Sequence, residues 1–249
     1  MQIIRLLPAT ALLAFAPAIE AQAAASDWHH VEGGSIRIVT SGAPDAHGRL
    51  RGALEIRLKP GWKTYWLDPG ASGVPPMLAV SAGGGDAKVE VGFPAPQRFD
   101  DGYELWAGYD RPVSLALTLT LPEGAPALAR VKANAFLGVC ETICIPIRTE
   151  LAFDPRSDAD NPEHAAVVAA AFAALPEPAR EDFSARAVAA EDSAILVETT
   201  LPAGARPLDL FVAGTETLVL GAPEKVDGAA EPLFRVPVTD RAEGGSEDV

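Results

Sequence analysis

The sequence predicts an all-β protein: an immunoglobulin-like antiparallel β-sandwich, then a helical linker and a second small β module. Three observations carry this. Residues 113–121, VSLALTLTL, set Val113, Leu115, Leu117, Leu119 and Leu121 on one face at period two. Residues 53–60, ALEIRLKP, alternate in the same way, with Leu54, Ile56 and Leu58 opposed to Glu55, Arg57 and Lys59. Turn signals punctuate the chain at KPG (59–61), DPGASG (68–73), GGGD (83–86) and LPEG (121–124), and no helical pattern intervenes before residue 162.

Taken in chain order, residues 1–25 read as a leader. Arg5 precedes an apolar stretch from Leu6 to about Ala16, and small residues stand at Ala21 and Ala23, a secretory signal pattern. The apolar run is too short and Pro-interrupted to span a bilayer, and no later stretch approaches the roughly 18 residues a span needs. The mature chain is therefore expected to be periplasmic, with no direct membrane span. Strands follow over residues 27–154: SIRIVTS (35–41), ALEIRLKP, KVEVG (88–92), VSLALTLTL, ARVKANAFL (129–137) and CIPIRTELAF (144–153). About seven or eight such strands with polar outer faces suit a sandwich of immunoglobulin size.

The pattern changes in the linker, residues 155–180. Asn161 can cap a helix, Pro162 suits its first position, and EHAAVVAAAFAAL continues it to Leu175. Strand patterns return over 181–249 as SARAVAA (184–190), AILVETT (194–200), LDLFVAG (208–214), ETLVLGA (216–222) and LFRVPV (233–238), too few residues for a second full sandwich and so expected to be either a small or an incomplete β module. The net charge is −14, and loss of the leader removes Arg5 and Glu20 and so leaves it unchanged. Such a surface repels nucleic acid and anionic membrane alike.

GVCETICIP, residues 138–146, contains both cysteines of the chain, Cys140 and Cys144. In an exported protein such a pair is ordinarily a structural disulfide. Two physical points weigh against that here. Closing about five residues removes only roughly 2 kcal/mol of unfolded-state freedom, against about 4.7 for a hundred-residue loop. In a straight strand the two α-carbons would also lie roughly 13 Å apart, while a disulfide needs about 4.4–6.8 Å. The chain must therefore turn within ETI, by a tight hairpin or one helical turn, although Thr142 and Ile143 are poor residues for positive φ. A bond across such a turn is expected to be of the strained or exposed, reducible kind. The spacing is not Cys-x-x-Cys, and His29, His30, His47 and His164 have no spacing that joins the cysteines in a zinc site. Glu141 lies between the cysteines and Arg148 four residues beyond, so sequence neighbours alone do not make strongly acidic thiols. Near the mature N-terminus, SDWHHVEGG offers His29 as a possible copper ligand beside a free amine.

Three segments in order carry a resemblance: PGWKTYWLDPGASGVPP (60–76), FPAPQRFDDGYELWAGYDRPVSLALTLTLP (93–122) and FLGVCETICIPIRTEL (136–151). Over roughly residues 29–153 the chain resembles the N-terminal periplasmic (alpha) domain of the DsbD thiol–disulfide interchange family, including its ScsB-like branch. The resemblance implies an immunoglobulin-like fold whose Cys140 and Cys144 cycle between thiols and disulfide. Electrons would come from a thioredoxin-like domain or a DsbD-type membrane protein and pass to oxidised periplasmic proteins, with no organic cofactor or metal. It also implies a cap, FDDGYELW (99–106), over the cysteines. Asp100 and Asp101 match its acidic positions. An aromatic of some members aligns with Gly102, leaving Tyr103 as the candidate lid, and Tyr65 matches a tyrosine near the cysteines. Trp62 and Trp66 are expected to be packing residues.

This chain departs from the pattern in three ways: a closer cysteine pair, no transmembrane or thioredoxin-like portion, and a displaced cap aromatic. The reading is thus a thiol–disulfide oxidoreductase component, in the setting of cytochrome c biogenesis or copper tolerance. The alternatives are a non-catalytic β-sandwich interaction module with a structural disulfide, and a copper-tolerance accessory protein.

Overall fold

In the computed structural model, residues 24–241 are described apart from 71–72, 101, 103–104, 123–129, 192, 208 and 230. The leader reading thus falls almost wholly outside the described residues. Eleven strands build the first domain. They are β1 (His29–Val31), β2 (Gly34–Ser41), β3 (Arg49–Leu58), β4 (Lys63–Tyr65), β5 (Met77–Ala82), β6 (Gly85–Gly92), β7 (Gln97–Asp100), β8 (Leu105–Tyr109), β9 (Val113–Thr120), β10 (Val131–Cys140) and β11 (Cys144–Phe153). Pairing is antiparallel throughout, and the strands form an immunoglobulin-like sandwich of two layers. One layer runs β1-β2-β3-β9-β6 and the other β6-β5-β10-β4-β8-β7, with β11 on the remaining side of β10. Strand β6 belongs to both, because Gly85–Ala87 pair with β5 while Lys88–Gly92 pair with β9.

Period-two alternation gives each layer its inner face. Ile36, Ile38, Leu54, Ile56, Leu115, Leu117 and Leu119 meet Val131, Leu137, Val139 and Ile147 across the core, all at most 1 % exposed. Full burial of each such side chain stabilises by about 1.5–3 kcal/mol. The outer face of β2, β3 and β9 differs from the polar face expected. Val39, Ala53 and Ala116 are buried there under helix α1 (Pro162–Ala173), whose Val168 and Ala171 complete a second small core. Small side chains on both surfaces let the helix lie close. Its start is as the sequence indicates: Pro162 opens it, and the Asn161 Oδ1 accepts from the amides of Glu163 (2.9 Å) and His164 (3.1 Å). It ends at Ala173, two residues short of Leu175, which packs against the same core.

Residues 24–26 extend the sandwich along β2, although sequence placed the first two in the leader. Ala25 bridges Val39, the Ala24 carbonyl accepts from both the amide (2.9 Å) and the hydroxyl (2.8 Å) of Thr40, and the Ile38 amide donates to Ser26 Oγ at 3.0 Å.

The second module is a five-stranded antiparallel sheet of β12 (Ser184–Glu191), β13 (Ala194–Thr200), β14 (Leu218–Leu220), β15 (Glu224–Val226) and β16 (Leu233–Arg241). Its order is β12-β13-β16-β14, with β15 also on β16, and Ile195, Val197, Leu220 and Val236 form its core. LDLFVAG, expected as a strand, has no ladder partner among its described residues 209–214. Its alternation has another cause: the segment runs between two apolar surfaces. Leu210 and Val212 pack into the module's core, while the Phe211 ring meets Trp66 of the first domain edge-on at 5.9 Å.

Candidate functional site

Strand pairing gathers the site on one face. Cys140, the last residue of β10, lies directly opposite Lys63 of β4, and Tyr65 two residues later projects to the same side. Tyr65 is in register with Gly108 of β8, and two residues before Gly108 stands Trp106, which faces Phe99 of β7. Four strands therefore deliver Cys140, Lys63, Tyr65, Trp106 and Phe99 to one cluster, with Val74 beside it. The Thr64 hydroxyl, fully buried, donates to the Gly138 carbonyl at 2.8 Å and pins β4 to β10. Gly138 also leaves room for the tyrosine, since a β-carbon there would come within 3.1 Å of Tyr65 Cε2.

Cys140 and Cys144 are joined as a disulfide across the β10–β11 hairpin, their α-carbons 4.1 Å apart. The hairpin thus supplies the turn that the spacing demanded. It does so without positive φ at Glu141, Thr142 or Ile143, because among the described non-glycine residues only Asp158 has one. The two halves of the disulfide face different surroundings. Cys140 is 8 % exposed beneath the aromatic cluster, while Cys144 is exposed and follows Ile143, which is 70 % exposed at the hairpin tip. The Tyr65 hydroxyl lies 3.2 Å from each sulfur. Disulfide sulfurs carry no proton, so in the oxidised state the hydroxyl is the donor.

The cover over Cys140 is aromatic. Phe99 and Trp106 stack at 4.4 Å with 23° between their planes, and Tyr65 meets Trp106 edge-on at 5.4 Å. The Lys63 ammonium stands 5.2 Å from the centroids of both stacked rings. Of the residues singled out from sequence, Cys140, Cys144 and Tyr65 come together. Asp100 is exposed, and its Oδ1 accepts from the Gly102 amide at 2.8 Å, closing a turn in which Gly102 takes φ +85°. Asp101 and Tyr103 lie outside the described residues. Trp62 belongs to the main core and Trp66 packs against it.

Sequence reasoning passed over Lys63, Phe99, Trp106 and Val74. A signal for two of them was present: Phe99 and Trp106 are the aromatic ends of FDDGYELW and flank its turn symmetrically. Lys63 was hidden because it is 77 residues from Cys140 in the chain (140 minus 63) and reaches it only through the ladder. Arg148, the nearest basic residue in sequence, places its guanidinium over Phe136 at 4.3 Å. Burial pushes the Tyr109 phenol up, and its hydroxyl donates to the Pro94 carbonyl at 2.8 Å, a structural role in the neighbouring strand. His29 Nδ1 lies 3.2 Å from the Thr149 hydroxyl, and no group of three or more His, Cys, Asp or Glu side chains is assembled around a possible metal among the described residues.

Known proteins resemble this chain both in sequence pattern and in fold. Residues 39–155 match the family described as thiol:disulfide interchange protein DsbD, N-terminal. The fold is similar to the crystal structure of the N-terminal periplasmic domain of ScsB from Proteus mirabilis, with a TM-score of 0.73 and 21 % identity over 88 % of this chain and 86 % of that one. No curated protein sequence matches.

Proposed function

Because residues 39–155 form a domain of the DsbD N-terminal family, we propose that this protein relays electrons by thiol–disulfide exchange through a reversible Cys140–Cys144 disulfide. The observation that carries this reading is the asymmetry of the disulfide: one cysteine exposed, its partner buried, and a hydroxyl 3.2 Å from both sulfurs.

Exchange begins when an incoming thiolate attacks a sulfur it can reach. Cys144 is that sulfur. The new bond joins the donor to Cys144 Sγ, the Cys140–Cys144 bond breaks, and its electron pair stays on Cys140. The Tyr65 hydroxyl donates to the thiolate as it forms. A second thiol of the donor then attacks the mixed disulfide, which leaves the donor oxidised and this pair reduced by two electrons and two protons. Toward an acceptor the steps reverse: the Cys144 thiolate opens the acceptor's disulfide and Cys140 resolves the intermediate. A thioredoxin-like domain or a DsbD-type membrane protein suits the donor role, and oxidised periplasmic proteins suit the acceptor role. The periplasm fits both the likeness to a periplasmic domain and the absence, among described residues, of any helix long and apolar enough to cross a membrane. The exposed Ile143 gives either partner an apolar contact next to the reacting sulfur.

The test is a pair of single substitutions. Cys140→Ser leaves the accessible thiol and is expected to trap mixed disulfides and to alkylate quickly. Cys144→Ser leaves the covered thiol and is expected to alkylate at least about tenfold more slowly. Equal rates for the two folded variants, or no mixed disulfide from either, would remove the proposal.

A further inference from the structure

We infer that the second module sets the reactivity of the disulfide from behind, by holding the cap strand β7 through Arg98. This rests on the reading above, in which the pair is reversible. Strand β7 has four residues and is the outermost strand of its layer, paired by β8 alone. Its Phe99 stacks on Trp106 in the cluster that buries Cys140, so whatever steadies β7 steadies that cover. Alternation sends the next side chain, Arg98, to the opposite face, where the second module meets it. Arg98 Nε donates to Asp209 Oδ2 (2.7 Å), and Nη2 donates to both Asp209 Oδ1 (2.9 Å) and the Leu210 carbonyl (2.9 Å). Its guanidinium also stands 4.7 Å from the Phe211 ring centroid.

Arg98 and Asp209 are only 19 % and 29 % exposed, so this two-pronged ion pair is better shielded than a typical surface one. The same arrangement repeats on β4, where Tyr65 faces the sulfurs and the next residue, Trp66, lies against Phe211. Just beyond, Asp68 Oδ2 accepts from the Gly214 amide at 2.7 Å. A β-carbon at Gly214 would come within 2.3 Å of the Leu218 carbonyl oxygen, so glycine is what lets the chain pass Leu218 within the module and present this amide to Asp68. Strand β7 and the segment that follows β4 are thus both held on the far face by residues 209–214. Arg98 is a positioning residue: it touches neither sulfur and acts through Phe99.

The experiment compares full-length oxidised wild type with Arg98→Ala, and with Asp209→Asn, which removes the same bond from the module's side if the first variant does not fold. Two quantities are read: hydrogen–deuterium exchange of residues 97–109, and the rate of disulfide reduction by dithiothreitol. Releasing β7 is expected to raise both by about fivefold, the scale of one lost ion pair. The reversed pair, Arg98→Asp with Asp209→Arg, is expected to bring both back toward wild type, which a general loss of packing would not allow. Exchange within twofold of wild type in a folded variant overturns the inference. Faster exchange with a wild-type disulfide that resists dithiothreitol throughout would leave the grip on β7 standing as a purely mechanical one, overturning both the control of reactivity and the relay reading. Faster exchange with an unchanged, measurable reduction rate overturns the control alone.

Discussion

A hydroxyl placed between two sulfurs has little to contribute while they are bonded, and most at the moment they part. Tyr65 is so placed, and its ring is locked edge-on against Trp106. Tyr65→Phe keeps the ring and removes the donor. Losing a hydrogen bond of about 1.4 kcal/mol to the departing thiolate corresponds to a tenfold slower reduction by a small dithiol, with the thermal midpoint nearly unchanged. Stopped-flow kinetics would read this, and an unaltered rate would return Tyr65 to a packing role. At this scale the sequence was informative about what lies in the motifs and silent about what the ladder imports. Cys140, Cys144 and Tyr65 could be named from their segments. Lys63 was invisible because no local pattern reports a partner brought in by strand register, and Phe99 because its strand of four residues is too short to show alternation.

Secondary-structure elements were legible in proportion to their length and alternation. VSLALTLTL and CIPIRTELAF are found as β9 and β11, the latter over its full predicted range. Strands β1, β4, β5, β7, β8 and β15 were missed, being only three to six residues long. Three of them, β4, β7 and β8, carry the cap. LDLFVAG shows the converse, since period two reports two apolar surroundings and not a hydrogen-bonded neighbour. The helix was readable because its capping chemistry is local. Asn161→Ala removes two bonds to backbone amides and is expected to destabilise by about 1 kcal/mol. For a chain of this size that is a fall of about 2–4 °C in thermal midpoint, measurable by calorimetry. Because α1 covers Val39, Ala53 and Ala116, the fall should be accompanied by faster amide exchange in β2, β3 and β9.

At the scale of the molecule, stability resides in the sandwich core and not in its disulfide. The bond closes a hairpin already paired along ten registered positions from Val131–Phe153 to Cys140–Cys144. Replacing both cysteines by alanine is therefore expected to lower unfolding stability by no more than about 2 kcal/mol. Urea unfolding would measure it, and a collapsed fold would mark the bond as a staple. The two-layer class was readable from alternation and turns, whereas the burial of an outer face by the helix was not, because Ala53 and Ala116 carry no strong pattern of their own. One contact beside β2 shows how far the sandwich extends toward the N-terminal side. The Ala24 carbonyl receives two donors from fully buried Thr40. A peptidase cutting after Ala25 would strip that acceptor away and strand both donors in a dry place. A chain beginning at Ser26 is therefore expected to be less stable than one that keeps Ala24, because residues 24–26 are already part of the sandwich wall.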